Sequence, residues 1–149
     1  MFAADAQVGN WLSWHDQPYL VGGETLTAKA ILNRTRFYKV GHHGSHNATL
    51  KTLGLELMTR EDLSAMVSTI EDVAKEQGTK GWQMPDPDVK AALLKQTRGR
   101  LIRGDRIWAE DPDVKAFAKD EGFTKSLDES NKLYVELTVY PGPSKTQEA

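Results

Sequence analysis

The chain has 149 residues, 39% of them hydrophobic and 27% charged, with a formal net charge of -2 and no cysteine. That length suits one domain with an ordinary packed core, and the near-neutral charge gives no electrostatic footprint for nucleic acid, although a local cleft can still take a nucleic-acid substrate. Without cysteine there are neither disulfides nor thiolate metal sites, so any metal must be held by imidazole and carboxylate.

The opening MFAADAQVGN lacks the basic region of a signal peptide. No apolar run approaches the roughly 18 residues of a membrane span. The expectation is a cytoplasmic protein with no membrane segment. MFAA reads as the stub of a strand that ends at Asp5. Val8, Leu12 and either Trp11 or His15 then fall at helical spacing, which predicts a short helix despite Gly9. QPYLVGG, residues 17–23, reads as a loop, and TLTAKAILNRT as a second helix with Leu26, Ala30 and Ile31 on one face.

RFYKV, residues 36–40, is aromatic and β-branched and ends at a glycine, so it predicts a strand. Lys39 within it can reach a phosphate or lie in solvent. Asn47 or Thr49 would cap a short helix through LKTLGLEL, and TRED, residues 59–62, has the form of a capping box opening another element. SAMVSTI suits a buried strand or part of a helix, and periodicity does not choose between them. EDVAKEQG predicts a helix ending at Gly78.

DPDVKA occurs twice, at 86–91 and 111–116. An aspartate cap, a proline at the first helical position and an acidic first turn predict a helix start at both places rather than a repeated binding unit. The first helix should stop at Gly99, and RLIR, residues 100–103, should be a short strand. KLYVELTVY, residues 132–140, alternates apolar and polar side chains and predicts a half-buried edge strand. PGPSKTQEA, residues 141–149, reads as a flexible tail. Trp11 and Trp14 are expected to pack the first helix on the sheet, with substrate stacking as the other reading; Trp82 and Trp108 read as packed loop residues.

Strands alternating with helices define the α/β class. In such sheets ligands gather beyond the carboxyl ends of the strands, where Asp5 and the pair His42 and His43 are expected. GHHGSHNATL, residues 41–50, holds three of the four histidines. Imidazole and carboxylate suit zinc or manganese, and the flanking glycines let a substrate approach. The same histidines can also cap helices or bind water.

FAADAQVGNWLSW followed by FYKVGHHGSHNATL resembles the C-terminal half of metallo-β-lactamase-fold hydrolases, in the branch related to the competence protein ComEC. The resemblance is clearest over residues 1–103 and extends more weakly as one domain to residue 140. It implies half of an αββα sandwich, a mixed sheet with helices packed on one face. Asp5 matches the family's bridging metal ligand, with Ala4 where a glycine is usual, and His42, His43, Gly44 and Ser45 match its second motif. His43, directly before Gly44, is the better match to the ligand and His42 the alternative. Ser45, His46 and Asn47 would line the substrate pocket.

In the intact family two zinc ions, or manganese, activate a water that attacks a phosphodiester, lactone or other ester of a small molecule or nucleic acid. Asp5 and His43 are then the catalytic metal-holding residues. The family's first motif, His-X-His-X-Asp-His, is not present in this sequence. The chain therefore reads as a fragment, inactive or weakly active alone, whose open sheet face would be covered by the missing half or by a second copy. The alternatives are a non-catalytic interaction domain that keeps the half-fold, and an HNH-like nuclease using the histidine pair and an asparagine.

Overall fold

α1 (Val8–His15) forms where the apolar spacing places it, and it buries Trp11. The computed structural model describes residues 1–117, 120–131 and 133–140. They fall into two units, one within Met1–Ala118 and one within Lys119–Ala149. The class is mixed α/β.

Trp11 locks α1 onto the first unit. Its indole N–H donates to the Ala48 carbonyl at 3.0 Å, and its ring lies 4.7 Å from Trp14 and 6.0 Å, edge-on, from Tyr38. Residues 17–23 are not the expected loop. β1 (Tyr19–Val21) and β2 (Glu24–Leu26) form an antiparallel hairpin around Gly22 and Gly23, whose φ values of 61° and 86° suit a tight two-residue turn. α2 (Ala28–Asn33) is capped by Thr27, whose hydroxyl accepts the Ala30 N–H at 3.2 Å. It buries Ala28 and Leu32 rather than Ala30, so its inward face is rotated from the expected one.

β3 (Phe37–Lys39), β4 (Ser64–Val67) and β5 (Leu101–Arg103) make a parallel sheet in that order. The N-terminal stub joins its open edge. Phe2 bridges Lys39 in parallel, the Lys39 N–H donates to the Met1 carbonyl at 2.9 Å, and the Met1 ammonium donates to the Phe37 carbonyl at 2.6 Å. The expected mixed sheet is thus corrected. Long crossovers at 40–63 and 68–100 carry the chain back to the starting edge, which makes the strands parallel, and among the described residues antiparallel pairing is confined to separate two-stranded pairs.

Register sets the two faces. Tyr38, Ala65 and Leu101 lie side by side and are buried. Trp11 of α1 lies against Tyr38, so the helical layer covers this face. On the other face Phe37, Lys39 and Met66 are only half-buried, and Phe2 beside them is exposed. Its ring lies 5.9 Å from that of Phe37.

The capped helix expected after Asn47 is replaced by turns and a 3₁₀ turn at Leu55–Leu57. TRED closes a turn instead of opening a helix, because the Asp62 carboxylate is taken by Arg36 at 2.7 Å and Arg60 at 2.6 Å. α3 (Glu71–Lys75) is short, and α4 (Pro87–Gln96) starts at the Asp86 cap, whose carboxylate accepts the N–H groups of Asp88 and Val89. The second DPDVKA differs. Asp111 accepts the Asp113 N–H at 3.0 Å, yet the segment is a run of turns and not a helix. Its carboxylate also lies 3.3 Å from Nε of the buried Arg103, a tertiary partner that Asp86 does not have.

In the second unit α5 (Glu121–Ser126) is capped by Asp120, which accepts the Phe123 N–H at 2.9 Å. β6 (Leu127–Asp128) pairs antiparallel with β7 (Glu136–Leu137). Among the described residues of the strand expected over 132–140 only those two pair, because β6 offers only two partners, and Leu133 and Tyr134 stay exposed. Residue 132 and the tail at 141–149 lie outside the described residues. Among the described residues no helix is long and apolar enough to cross a membrane.

Candidate functional site

Strands that run parallel release the chain at one common edge, and their following loops converge there. At this edge the Phe2 bridge leads to Ala4 and Asp5, β3 to Gly41, His42 and His43, β4 to Ser68 and Thr69, and β5 to Gly104 and Asp105. Gly41 makes the first junction. A Cβ there would stand 2.1 Å from the Ala4 carbonyl oxygen, and the His42 N–H donates to that same oxygen at 3.0 Å. The N-terminal stub and the histidine turn are therefore in backbone contact.

Ala4, His42 and His43 have φ values of 47°, 44° and 54°. Left-handed backbone costs a non-glycine residue about 1–2 kcal/mol. Three such residues at one junction gather strain where functional sites commonly hold it. A cleft of about 240 Å³ opens beside them, lined by Asp5, Lys39, His42, His43 and Ser68 together with Phe2. The structure thus brings together the Asp5 and histidine positions singled out by the sequence.

Hydrogen bonds orient both imidazoles. His43 Nδ1 lies 2.8 Å from the Ser68 carbonyl, so Nδ1 donates there, and in the neutral ring the lone pair is on Nε2. The Thr69 hydroxyl donates to the His43 carbonyl at 2.8 Å and holds the turn from below. Ser45 Oγ donates to Asn47 Oδ1 at 2.7 Å and must therefore accept from His42 Nδ1 at 3.1 Å. His42 Nε2 is likewise left as an acceptor. Metal-binding imidazoles are oriented in this way, by a hydrogen bond at the nitrogen that does not face the metal.

Lys39 reaches into the same cleft. Its ammonium donates to Ser68 Oγ at 2.7 Å and to the Val40 carbonyl at 3.2 Å. Burial pushes its pKa below the ordinary lysine value. Among the described residues it makes no ion pair. Ser45 and Asn47 brace His42 and do not line the cleft, and His46 is exposed beside them. His15 is away from the site, with Nε2 2.7 Å from the Leu53 carbonyl.

The donors fit a divalent ion in kind: two imidazole Nε2 atoms and one carboxylate. They are not gathered into one metal site. Among the described residues no three or more His, Asp or Glu side chains come together so that they could hold a metal ion. The acids at the end of β5 are no substitute. Glu71, Asp105, Asp111 and Asp113 lie 3.2–3.4 Å from the buried Arg103 guanidinium and neutralise it.

Ser68 is the residue the sequence reading missed. Its signal was available: it directly follows a strand, at the same carboxyl edge that marks Asp5 and the histidines. Through His43 and Ser68 the polar cleft adjoins a second one of about 450 Å³, walled by Ile70, Val73, Ala74, Trp82 and Met84. No protein-family model matches this chain, and neither curated proteins nor solved structures contain a significant match.

Proposed function

We propose that this cleft is one edge of the metal centre of an ester hydrolase, a phosphodiesterase or lactonase of the metallo-β-lactamase type. The observation that carries the reading is the convergence of Asp5, His42 and His43 on one cleft, with both Nε2 atoms left free by the bonds at Nδ1. Asp5, His43 and His42 would each offer a donor to zinc or manganese, but the three are not grouped as a metal site by themselves. A bound metal would supply Lewis acidity and a water acidified toward neutral pH.

The chain's own residues have other tasks. The Ser68 carbonyl fixes the His43 ring, Ser45 and Asn47 fix His42, and Lys39 offers an ammonium to an anionic substrate oxygen. On this reading the donors lacking here would have to be supplied by another polypeptide. The half-open face carrying Phe2, Phe37 and Met66 is where that polypeptide, or a second copy of this chain, would pack. The setting proposed for it is cytoplasmic. The same exposed Phe2 favours the second reading, a non-catalytic interaction domain. The HNH-like reading gains no support, since turns rather than a hairpin and helix follow His46.

Calorimetric titration with zinc, beside hydrolysis of bis(p-nitrophenyl) phosphate, tests the proposal. Weak zinc binding that Asp5→Ala and His43→Ala each reduce, with slow turnover by the isolated chain, is expected. Zinc affinity unchanged in the triple variant lacking Asp5, His42 and His43 would overturn it.

A further inference from the structure

The two clefts differ in chemistry and share a wall. The smaller holds Lys39, Asp5 and the two imidazoles, while the larger is walled mainly by the apolar side chains of Ile70, Val73, Ala74, Trp82 and Met84, with His43, Ser68, Thr69 and Gln77 at its margin. His43 and Ser68 line both, so a molecule lying across them would occupy the two at once. Each volume taken alone, about 240 and about 450 Å³, is small or average for a ligand site. Ligand sites of about 300–1,000 Å³ combine an apolar lining with a few placed polar groups, and the joined clefts have that make-up.

The larger cleft is built rather than accidental. The Trp82 N–H donates to the Ala74 carbonyl at 2.9 Å, and its indole Nε1 stands 2.8 Å from where a Gly78 Cβ would be. Trp82 is thereby held as a wall facing Ile70 and Val73, which project from the start of α3. These three side chains are 52%, 55% and 49% exposed, an apolar cluster left open beside a polar site. At the other end the Lys39 ammonium is half-buried and has no carboxylate partner among the described residues. A half-buried cation without a counter-ion is complementary to an anion.

We infer that the joined clefts bind an anionic amphiphile, an alkyl phosphate whose phosphate meets Lys39 and whose alkyl chain lies between Trp82 and the Ile70–Val73 face. An alkyl chain fits better than a planar ring, because Ile70, Val73, Ala74 and Met84 outnumber the single indole. The inference deepens the hydrolase reading and rests on it only in calling the amphiphile a substrate, here an alkyl phosphoester; binding itself needs no metal.

The test is calorimetric titration of the metal-free full chain with octyl, nonyl and decyl phosphate below their micelle thresholds. Affinity should rise about two- to fourfold per methylene, fourfold being the increment for full burial of each group. Val73→Asp, at an exposed position, should remove that dependence on chain length. Lys39→Gln should weaken decyl phosphate about tenfold and leave decanol unchanged. Decyltrimethylammonium binding as tightly as decyl phosphate, or Val73→Asp keeping the wild-type increments, overturns the inference. A zinc titration run alongside separates the two ideas. Zinc binding that depends on Asp5 and His43 without amphiphile binding leaves the hydrolase reading standing and sinks this one; amphiphile binding without zinc binding does the reverse.

Discussion

Replacing Gly41 by alanine tests the assembly of the site at its tightest point. Gly41 has φ -80° and ψ 165°, a conformation that alanine adopts freely, so the substitution carries no backbone penalty of its own. The added Cβ meets the Ala4 carbonyl oxygen at 2.1 Å, far inside contact distance, and backbone cannot swing aside as a side-chain tip can. The N-terminal stub must move away, and the His42 N–H to Ala4 carbonyl bond of 3.0 Å goes with it. Overpacking of this kind costs about 1–3 kcal/mol, and the lost hydrogen bond adds about 0.5–1.5 kcal/mol. A loss of about 1.5–4.5 kcal/mol follows, a large share of the stability of a typical domain. Urea denaturation measures it, with Gly104→Ala as the control at the same edge, because a Cβ there meets nothing closer than 3.6 Å. Zinc affinity should fall with stability in Gly41→Ala and hold in the control. Wild-type stability of Gly41→Ala would refute the close approach of stub and histidine turn. Lost stability with unchanged zinc affinity would show that Asp5 takes no part in metal binding.

The two DPDVKA aspartates should separate under the same measurement. Asp86→Ala loses a helix cap, about 0.5–2 kcal/mol, whereas Asp111→Ala also strips a carboxylate from the buried Arg103 and should approach the roughly 3–5 kcal/mol of a broken buried ion pair, moderated by the three acids that remain. Equal losses would mean that Arg103 does not need Asp111. Burial pushes the Tyr38 hydroxyl up to about 12, outweighing its hydrogen bonds with Thr49 and the Gly41 backbone, while the unfolded chain titrates near its ordinary value of about 10. Folding favours the neutral phenol, so this contribution is full below about pH 10 and is lost as pH rises to about 12, on the order of 2–3 kcal/mol. Urea midpoints from pH 8 upward should show that alkaline loss in the wild type and not in Tyr38→Phe, which instead sacrifices about 1 kcal/mol at every pH through the unpartnered Thr49 hydroxyl; identical alkaline profiles would count against Tyr38 as the titrating group.

Much of the local structure was legible in the order of residues. The apolar spacing around Trp11, the aspartate–proline start of α4 and the glycine-terminated run at 36–40 each act through partners within about four positions, the range over which caps and periodicity operate. The placement of Asp5 and the histidines after strands was legible for the same reason. The Gly-Gly turn between YLV and ETL was equally local and was passed over.

Tertiary structure decided the rest. Asp86 and Asp111 open identical hexapeptides, and only the second meets a buried guanidinium, so one caps a helix and the other is held in a turn. The alternation over 132–140 promised a full strand, but β6 has two residues to pair with it. Whether Asp5 would stand near His42 depended on Phe2 pairing with Lys39, 37 positions away, and on Gly41 admitting the Ala4 carbonyl. Which ring nitrogen of His43 stays free depended on Ser68, 25 positions away and brought beside it by the β3–β4 register. Such contacts are chosen by strand order and register, which minimise exposed apolar surface over the whole sheet, and no short window of residues contains that choice.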